Sequence, residues 1–166
     1  MVDGVTIAVV TASAATDLYA GKIFNVVTYS AMLLGLGFAA AGLGPPLSSA
    51  ILGLLAAGLP LYLLFAIGWM GGGDVKLLAA IGALKGLTFV AYAMFYSIFF
   101  GGAFAALVLI WRGESAAVAA DLSGLVRRAF YPGHATAPLV PRGGAFPFGV
   151  AIALGTVVAL VLEWTA

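Results

Sequence analysis

Apolar stretches of membrane-spanning length follow one another along almost the whole chain, and they constrain its fold more than any other feature. A helix needs about 20 apolar residues to cross the hydrocarbon core of a bilayer. The segment from Leu47 to Trp69 is one such stretch, and a longer run from Val75 to Trp111 is interrupted at Lys85-Gly86. We therefore predict an all-α, polytopic membrane protein with about six transmembrane helices.

Composition supports this class and narrows the chemistry. The 166 residues are 64% hydrophobic and only 8% charged, against about 25% charged in soluble domains. This length leaves room for one integral membrane domain, residues 1–166. The absence of cysteine excludes disulfides and thiolate nucleophiles, and with a single histidine we expect no metal and no cofactor. The net charge of +1 does not indicate the basic surface that nucleic-acid binding requires.

The polar breaks divide the chain into elements. The predicted spans cover residues 4–20, 26–41, 47–69, 75–84, 87–111 and 145–164. One helix over 75–111 would be about 55 Å long, too long for a single crossing, so we divide it at Lys85-Gly86. The fourth span is then too short to cross alone. Between 112 and 142, apolar residues at helical spacing predict an amphipathic helix at the interface, and His134 is interpreted as a solvated loop residue.

The distribution of charge predicts the topology. Six of the seven basic residues fall on one side if the 17–25 patch, the 71–74 glycine run and the 112–142 segment share that side. Cytoplasmic loops carry such an excess of Lys and Arg. This side is therefore predicted to be cytoplasmic, with both termini external. Lys85, Asp3 and Glu163 are predicted to lie on the opposite side.

An aspartate follows three glycines in the run Gly71-Gly72-Gly73-Asp74, and a carboxylate is costly to place near hydrocarbon. An ionisable residue in or near hydrocarbon is a functional-site hypothesis by default. Glycine permits close backbone approach and unusual backbone angles, so we favour a role for the run in giving substrate access to the acid. Helix packing is the alternative, and it is the role predicted for four other glycines: Gly35, Gly37, Gly101 and Gly102.

The predicted topology gives Asp74 a partner, because it places Asp17 at the same depth. Two carboxylates that share a partly desolvated site cannot both ionise easily, so one holds a proton. One then serves as general base toward water and the other as general acid toward an amide. The alternatives are structural: Asp17 is an N-cap or a partner of Lys22, and Asp74 is an interfacial acid that ends a helix.

These residues resemble the motifs of a known family. Gly71-Gly72-Gly73-Asp74 fits the G-x-G-D motif of membrane aspartyl proteases, and the segment from Asp17 to Asn25 resembles the first-aspartate motif of type IV prepilin peptidases. The continuation to Lys76 and Leu77 also fits that family. The short, cysteine-free chain looks most like the branch that processes Flp-type (tight adherence) pilins. Phe24 departs from the pattern, which usually has proline there.

The resemblance implies an aspartic endopeptidase of the bacterial cytoplasmic membrane, with its active site toward the cytoplasm. Its partners would be the lipid bilayer and a prepilin-like substrate that has a basic leader and one hydrophobic helix, cut after a glycine. Asp17 and Asp74 would be catalytic, supported by Gly71, Gly73, Lys76 and Asn25. Larger members add a cysteine-rich insertion and N-methylate the new terminus, and neither property is carried over to this chain.

Two supporting residues keep alternative roles. Lys76 either steadies the charge of the two aspartates or anchors the chain at the membrane surface. Asn25 either donates hydrogen bonds near them or caps a helix. For the whole protein, the alternative functions are a small ion- or proton-coupled transporter subunit, since intramembrane acids and glycine-broken helices also line ion paths, and a purely structural membrane scaffold.

Overall fold

A computed structural model of the chain describes residues 1–68, 70–111, 113 and 148–165. Within these residues the chain forms six helices and no strand, which confirms the all-α prediction. Each helix coincides with one of the predicted spans. They are α1 (Val2–Ala20), α2 (Asn25–Ala40), α3 (Leu47–Ala66), α4 (Gly72–Lys85), α5 (Leu87–Trp111) and α6 (Phe148–Thr165).

Length and hydropathy mark three of the described helices as able to cross a membrane unaided. These are Leu47–Ala66, Leu87–Val108 within α5, and Phe148–Thr165, and the shorter α2 is also apolar. Together with the all-helical fold, they confirm a polytopic membrane protein.

The chain divides into two compact units. The first comprises Met1–Gly101 and Pro147–Ala166, and the second comprises Gly102–Phe146. Of the second unit, the structure describes the end of α5 as far as Trp111, together with Gly113. The amphipathic helix predicted between 112 and 142, and His134, lie outside the described residues. The single domain predicted over 1–166 stays a prediction.

Helix α4 lies inside the first unit, where it contacts α1, α2, α3 and α6. Every residue from Leu77 to Leu84 is buried. A helix that is apolar on all sides is typical of a protein core or of a membrane span. The predicted fourth span was too short to cross alone, and the structure shows that α4 has protein neighbours on several sides.

The predicted division at Lys85-Gly86 is confirmed. Gly86 separates α4 from α5 and has φ of 85°, a left-handed conformation that side chains disfavour. The hydroxyl of Ser49 on α3 then accepts a hydrogen bond from the backbone N–H of Leu87, at 3.2 Å. This bond satisfies one of the amides that the first turn of a helix leaves unpaired.

Small residues let the helices around α4 approach closely, as membrane helices commonly do. A Cβ atom on Gly53 of α3 would lie 2.5 Å from the carbonyl oxygen of Gly82 on α4. A Cβ atom on Gly35 of α2 would lie 2.6 Å from the backbone of Ala83. Backbones therefore touch at both interfaces, and Gly35 has the packing role predicted for it.

The packing role is confirmed for one of the other three glycines for which it was predicted, and not for the remaining two. A Cβ atom on Gly101 would lie 2.5 Å from the ring of Phe148, so the prediction is confirmed there. Among the described residues, no atom lies within 4 Å of a Cβ built on Gly37 or on Gly102. The prediction was wrong for these two, because hydropathy alone does not tell which face of a span meets another helix.

Charged side chains meet at the end of α4 that carries Lys85. The Lys85 Nζ atom lies 2.6 Å from Asp3 Oδ1 on α1 and 2.6 Å from Glu163 Oε2 on α6. Trp164 adds a hydrogen bond from its indole N–H to Asp3 Oδ2, at 3.3 Å. We call these three charged residues the Lys85 cluster. They are the three residues that the charge distribution placed together, opposite the other basic residues.

Candidate active site

Asp17 lies in the last turn of α1 and is half-buried. The helix ends just beyond it, because Gly21 adopts a left-handed conformation with φ of 61° and donates its N–H to the Asp17 carbonyl at 2.8 Å. Asp17 is therefore not an N-cap. No ion pair joins it to Lys22 in the part of the chain that the structure describes. Neither structural alternative for Asp17 is supported.

Asp74 lies in the first turn of α4, three residues after the N-cap Gly71, and is half-buried. It begins a helix, so the alternative of an acid that ends one was wrong. A carboxylate is favoured there by the helix dipole. The Asp74 carboxylate folds back toward Gly71, since a Cβ atom on Gly71 would lie 2.7 Å from Oδ2. A side chain on Gly71 would displace the Asp74 carboxylate.

The other two glycines of the run serve contacts between elements. A Cβ atom on Gly73 would lie 2.9 Å from the Cβ of Ile23, in the connection between α1 and α2. A Cβ atom on Gly72 would lie 3.0 Å from the ring of Phe65 on α3. Gly73 therefore lets the start of α4 approach the segment that follows Asp17.

The expected unusual backbone angles do not occur in the glycine run. Gly71 is extended, with φ of −70°, and Gly72 and Gly73 belong to α4. The nearest left-handed glycine is Gly68, with φ of 80°. Of the two predicted properties, close approach is confirmed and unusual backbone angles were wrong. Access of substrate to Asp74 through the run stays a prediction.

The packing of α1 against α4 brings the two aspartates within electrostatic range of each other. Each half-buried carboxylate makes a negative charge on the other less favourable. Chemically, the arrangement supplies a base and an acid at one place.

A third helix also reaches this place. The backbone N–H of Gly149, in the first turn of α6, donates a hydrogen bond to Asp17 Oδ2 at 2.8 Å. Sequence reasoning missed Gly149, since a glycine at the start of an apolar span is ordinary. The one available signal was the topology, which placed the start of the last span on the same side as Asp17.

Lys76 and Asn25 were predicted separately, and the structure joins them. The Lys76 Nζ atom donates a hydrogen bond to Asn25 Oδ1 at 2.9 Å and lies 5.2 Å from the centre of the Tyr29 ring. No ion pair links Lys76 to Asp17 or Asp74 among the residues described. The Lys76–Asn25 bond instead connects the start of α4 to the start of α2.

The helix-capping alternative for Asn25 was wrong. Phe24 is the N-cap of α2, and no side-chain cap bond is formed. Phe24 has φ of −73° and an extended conformation, within the range to which proline is restricted. The departure from the family pattern at this position therefore leaves the backbone in a conformation that a proline would also adopt.

The aspartates form a pair and not a larger cluster of metal-binding residues. In the described ranges, no group of three or more His, Cys, Asp or Glu side chains is arranged to hold a metal ion.

Comparison with known proteins adds independent support for the motifs. A family model described as the type IV leader peptidase family matches residues 4–106, which is more than half of the chain. The matched region contains both aspartates, the glycine run, Asn25 and Lys76, whereas Gly149 lies beyond it. Neither the curated proteins nor the solved structures include a match.

Proposed function

The chain belongs to the type IV leader peptidase family, and from that premise we propose that it is an aspartic endopeptidase that removes the leader peptides of prepilin-like proteins. Family membership and the apolar helices make it a membrane-embedded peptidase. The proposal adds the catalytic type, the substrate, and an active site that faces the cytoplasm.

The observation that carries the proposal is the proximity of Asp17 and Asp74. They come from α1 and α4, are both half-buried, and lie within electrostatic range of each other. A carboxylate pair with one shared proton can act as base and acid in the same step, as aspartic proteases do. Such a pair needs neither a thiol nor a metal.

In the proposed reaction, the ionised carboxylate takes a proton from a water molecule as the water oxygen attacks the scissile carbonyl. The protonated carboxylate gives its proton to the carbonyl oxygen, and a tetrahedral diol forms. When the diol collapses, one of its hydroxyl groups returns its proton to the pair as the new carbonyl forms, the C–N bond breaks, and the leaving amine takes up a proton from the pair. The pair ends with one proton, as it began.

The position of both aspartates at helix ends supports the substrate class. A basic leader stays in water, while the single apolar helix of the substrate stays in the bilayer. The scissile bond between them then reaches a site at the ends of α1 and α4. By resemblance to the family, cleavage follows a glycine, and the enzyme is in the bacterial cytoplasmic membrane. We propose no N-methyltransferase activity, since the chain has no cysteine and so lacks the insertion of bifunctional relatives.

The test uses the protein reconstituted in lipid nanodiscs, with a substrate that has a basic leader, a glycine at the boundary and one apolar helix. We expect one new N-terminus after that glycine, identified by mass spectrometry, with no methyl group added when S-adenosylmethionine is supplied. Asp17→Asn and Asp74→Asn should each abolish cleavage while inserting normally.

Substantial cleavage by either variant would exclude the aspartate pair as the catalytic group. In liposomes, an ion flux that Asp74→Asn removes, with no cleavage by the wild-type protein, would support the transporter alternative instead. Unchanged function after both substitutions would support the scaffold alternative.

A further inference from the structure

The start of α6 is arranged around Asp17. The Gly149 amide is the second of the helix, and it donates to Asp17 Oδ2 at 2.8 Å. Amides in the first turn have no acceptor within their own helix. The helix dipole also makes this end favourable for a negative charge. The hydrogen bond therefore satisfies a group that α6 cannot satisfy itself, and it fixes one oxygen of Asp17.

Only glycine permits this approach. A Cβ atom on residue 149 would lie 2.8 Å from Asp17 Oδ2 and 3.1 Å from its Cβ. Gly149 is itself buried, so a larger residue has no open space to turn into. Since an aspartate side chain is short, an added methyl group would force its carboxylate to rotate or move.

We propose that Gly149 is a positioning residue of the peptidase site, and that α6 is the third helix needed to build it, after α1 and α4. The proposal rests on the proposed function, because it assigns Gly149 a role through Asp17. The amide occupies one acceptor position of Oδ2 and so holds the orientation in which the Asp17 carboxylate meets the water molecule. Gly149 lies outside the region that the family model matches, so the match does not assign it this role.

The orientation of a catalytic group has a large effect on rate. A displacement of about 1 Å in a catalytic group can cost about 100-fold in rate. A residue that acts by orienting Asp17 should therefore affect kcat. It should leave KM unchanged, since Gly149 acts through Asp17.

The first test compares Gly149→Ala with Gly37→Ala in the nanodisc cleavage assay. Gly37 lies within α2, and a Cβ atom there meets nothing within 4 Å, so it is a matched glycine-to-alanine control. We expect Gly149→Ala to lower kcat by about 10- to 100-fold with KM within about twofold of wild type. Gly37→Ala should leave both unchanged. A wild-type kcat in Gly149→Ala, or an effect on KM alone, would overturn the proposal.

The second test needs no cleavage. The thermal unfolding midpoint is measured for Gly149→Ala in the wild-type background and in an Asp17→Ala background. If residue 149 acts through the Asp17 carboxylate, the methyl group should lower the midpoint less when that carboxylate is absent, so the two changes are not additive. An equal decrease in both backgrounds would overturn the contact.

The two tests separate two kinds of failure. If the wild-type protein cleaves no prepilin-like substrate, the proposed function fails, and the coupling measured by unfolding still decides whether Gly149 holds Asp17. If the wild-type protein cleaves and Gly149→Ala matches it, the proposed function stands and the role of Gly149 is wrong.

Discussion

The two ends of α4 carry opposite arrangements of charge. At its C-terminal end, Lys85 pairs with both Asp3 and Glu163. At its N-terminal end, Asp74 lies within electrostatic range of Asp17, a second acid. A lysine is near at this end as well, but Lys76 donates to Asn25 instead of forming an ion pair with either aspartate in the described residues.

The difference separates stability from chemistry. A mostly buried cation whose partners are in place costs little, whereas removing a partner leaves an uncompensated charge. Two close acids are the reverse case, because each makes ionisation of the other harder. The Lys85 cluster is therefore expected to hold α1, α4 and α6 together. The aspartate pair is held together by the surrounding fold, and it is expected to supply reactivity at some cost in stability.

The largest expected effects come from replacing one acid with asparagine at each end of α4. Asp74→Asn should lower cleavage by about 1,000-fold or more, since it removes an acid–base group, and should raise the thermal unfolding midpoint by relieving repulsion with Asp17. Asp3→Asn should do the opposite, lowering the midpoint and leaving kcat per folded molecule unchanged. The cleavage rate and the unfolding midpoint are measured for both variants in parallel in nanodiscs.

A decrease in both activity and stability for Asp74→Asn would break this comparison. It would mean that Asp74 makes stabilising contacts that outweigh its repulsion with Asp17.

The second prediction concerns the cation of the Lys85 cluster. Lys85→Met should lower the free energy of unfolding by about 2 kcal/mol. This value lies between those of exposed and buried pairs, because Lys85 is 10% exposed while Asp3 and Glu163 are 34% and 47% exposed. Thermal unfolding in detergent measures the change. Lys22→Met, at an exposed position, is the control, with a change of about 0.5 kcal/mol or less. Equal effects from the two would mean that the ion pairs contribute nothing to stability.

The smallest expected effect comes from the Lys76–Asn25 hydrogen bond. Lys76→Met and Asn25→Leu should each lower kcat/KM by about fivefold at most, because one hydrogen bond contributes about 1 kcal/mol. The double variant should show no further loss, since both remove the same bond. A 100-fold loss with Lys76→Met alone would place the ammonium group at the reacting atoms. The N-terminal end of α4 would then have a compensating cation after all, as the Lys85 end does.

The helices were predictable from the sequence because their signals are local. Long apolar runs, the polar and glycine-rich segments between them, and the break at Lys85-Gly86 are sufficient to separate the six helices of the described residues. The charge distribution also predicted that Asp3, Lys85 and Glu163 share one side, and the structure places them in ion-pair contact. The pairing of Asp17 with Asp74 followed from the same topology, combined with the chemistry of the two acids.

The contacts that shape the site were not predictable in this way. Gly149 and Asp17 are 132 residues apart, and only the packing of α6 along α1 brings them together. The errors over Gly37 and Gly102 have the same origin, because the sequence of an apolar helix does not show which of its faces contacts another helix. For the 71–73 run, the residue type was informative, but its use in close contact depends on Ile23 and Phe65.

The length of α4 also bears on how deep in the bilayer the proposed active site lies. Asp74 and Lys85 are separated by about 17 Å along the helix axis, and the hydrocarbon core of a bilayer is about 30 Å thick. Both charged ends therefore cannot lie at the two surfaces of an undistorted bilayer. Each charged end then needs protein partners, as Lys85 has, or a locally thinner bilayer, at a cost of fractions of a kcal/mol per Å of mismatch. The thickness of the host membrane thus becomes part of the environment of this peptidase, and the acyl-chain length of its lipids bears on how easily a substrate reaches the aspartates.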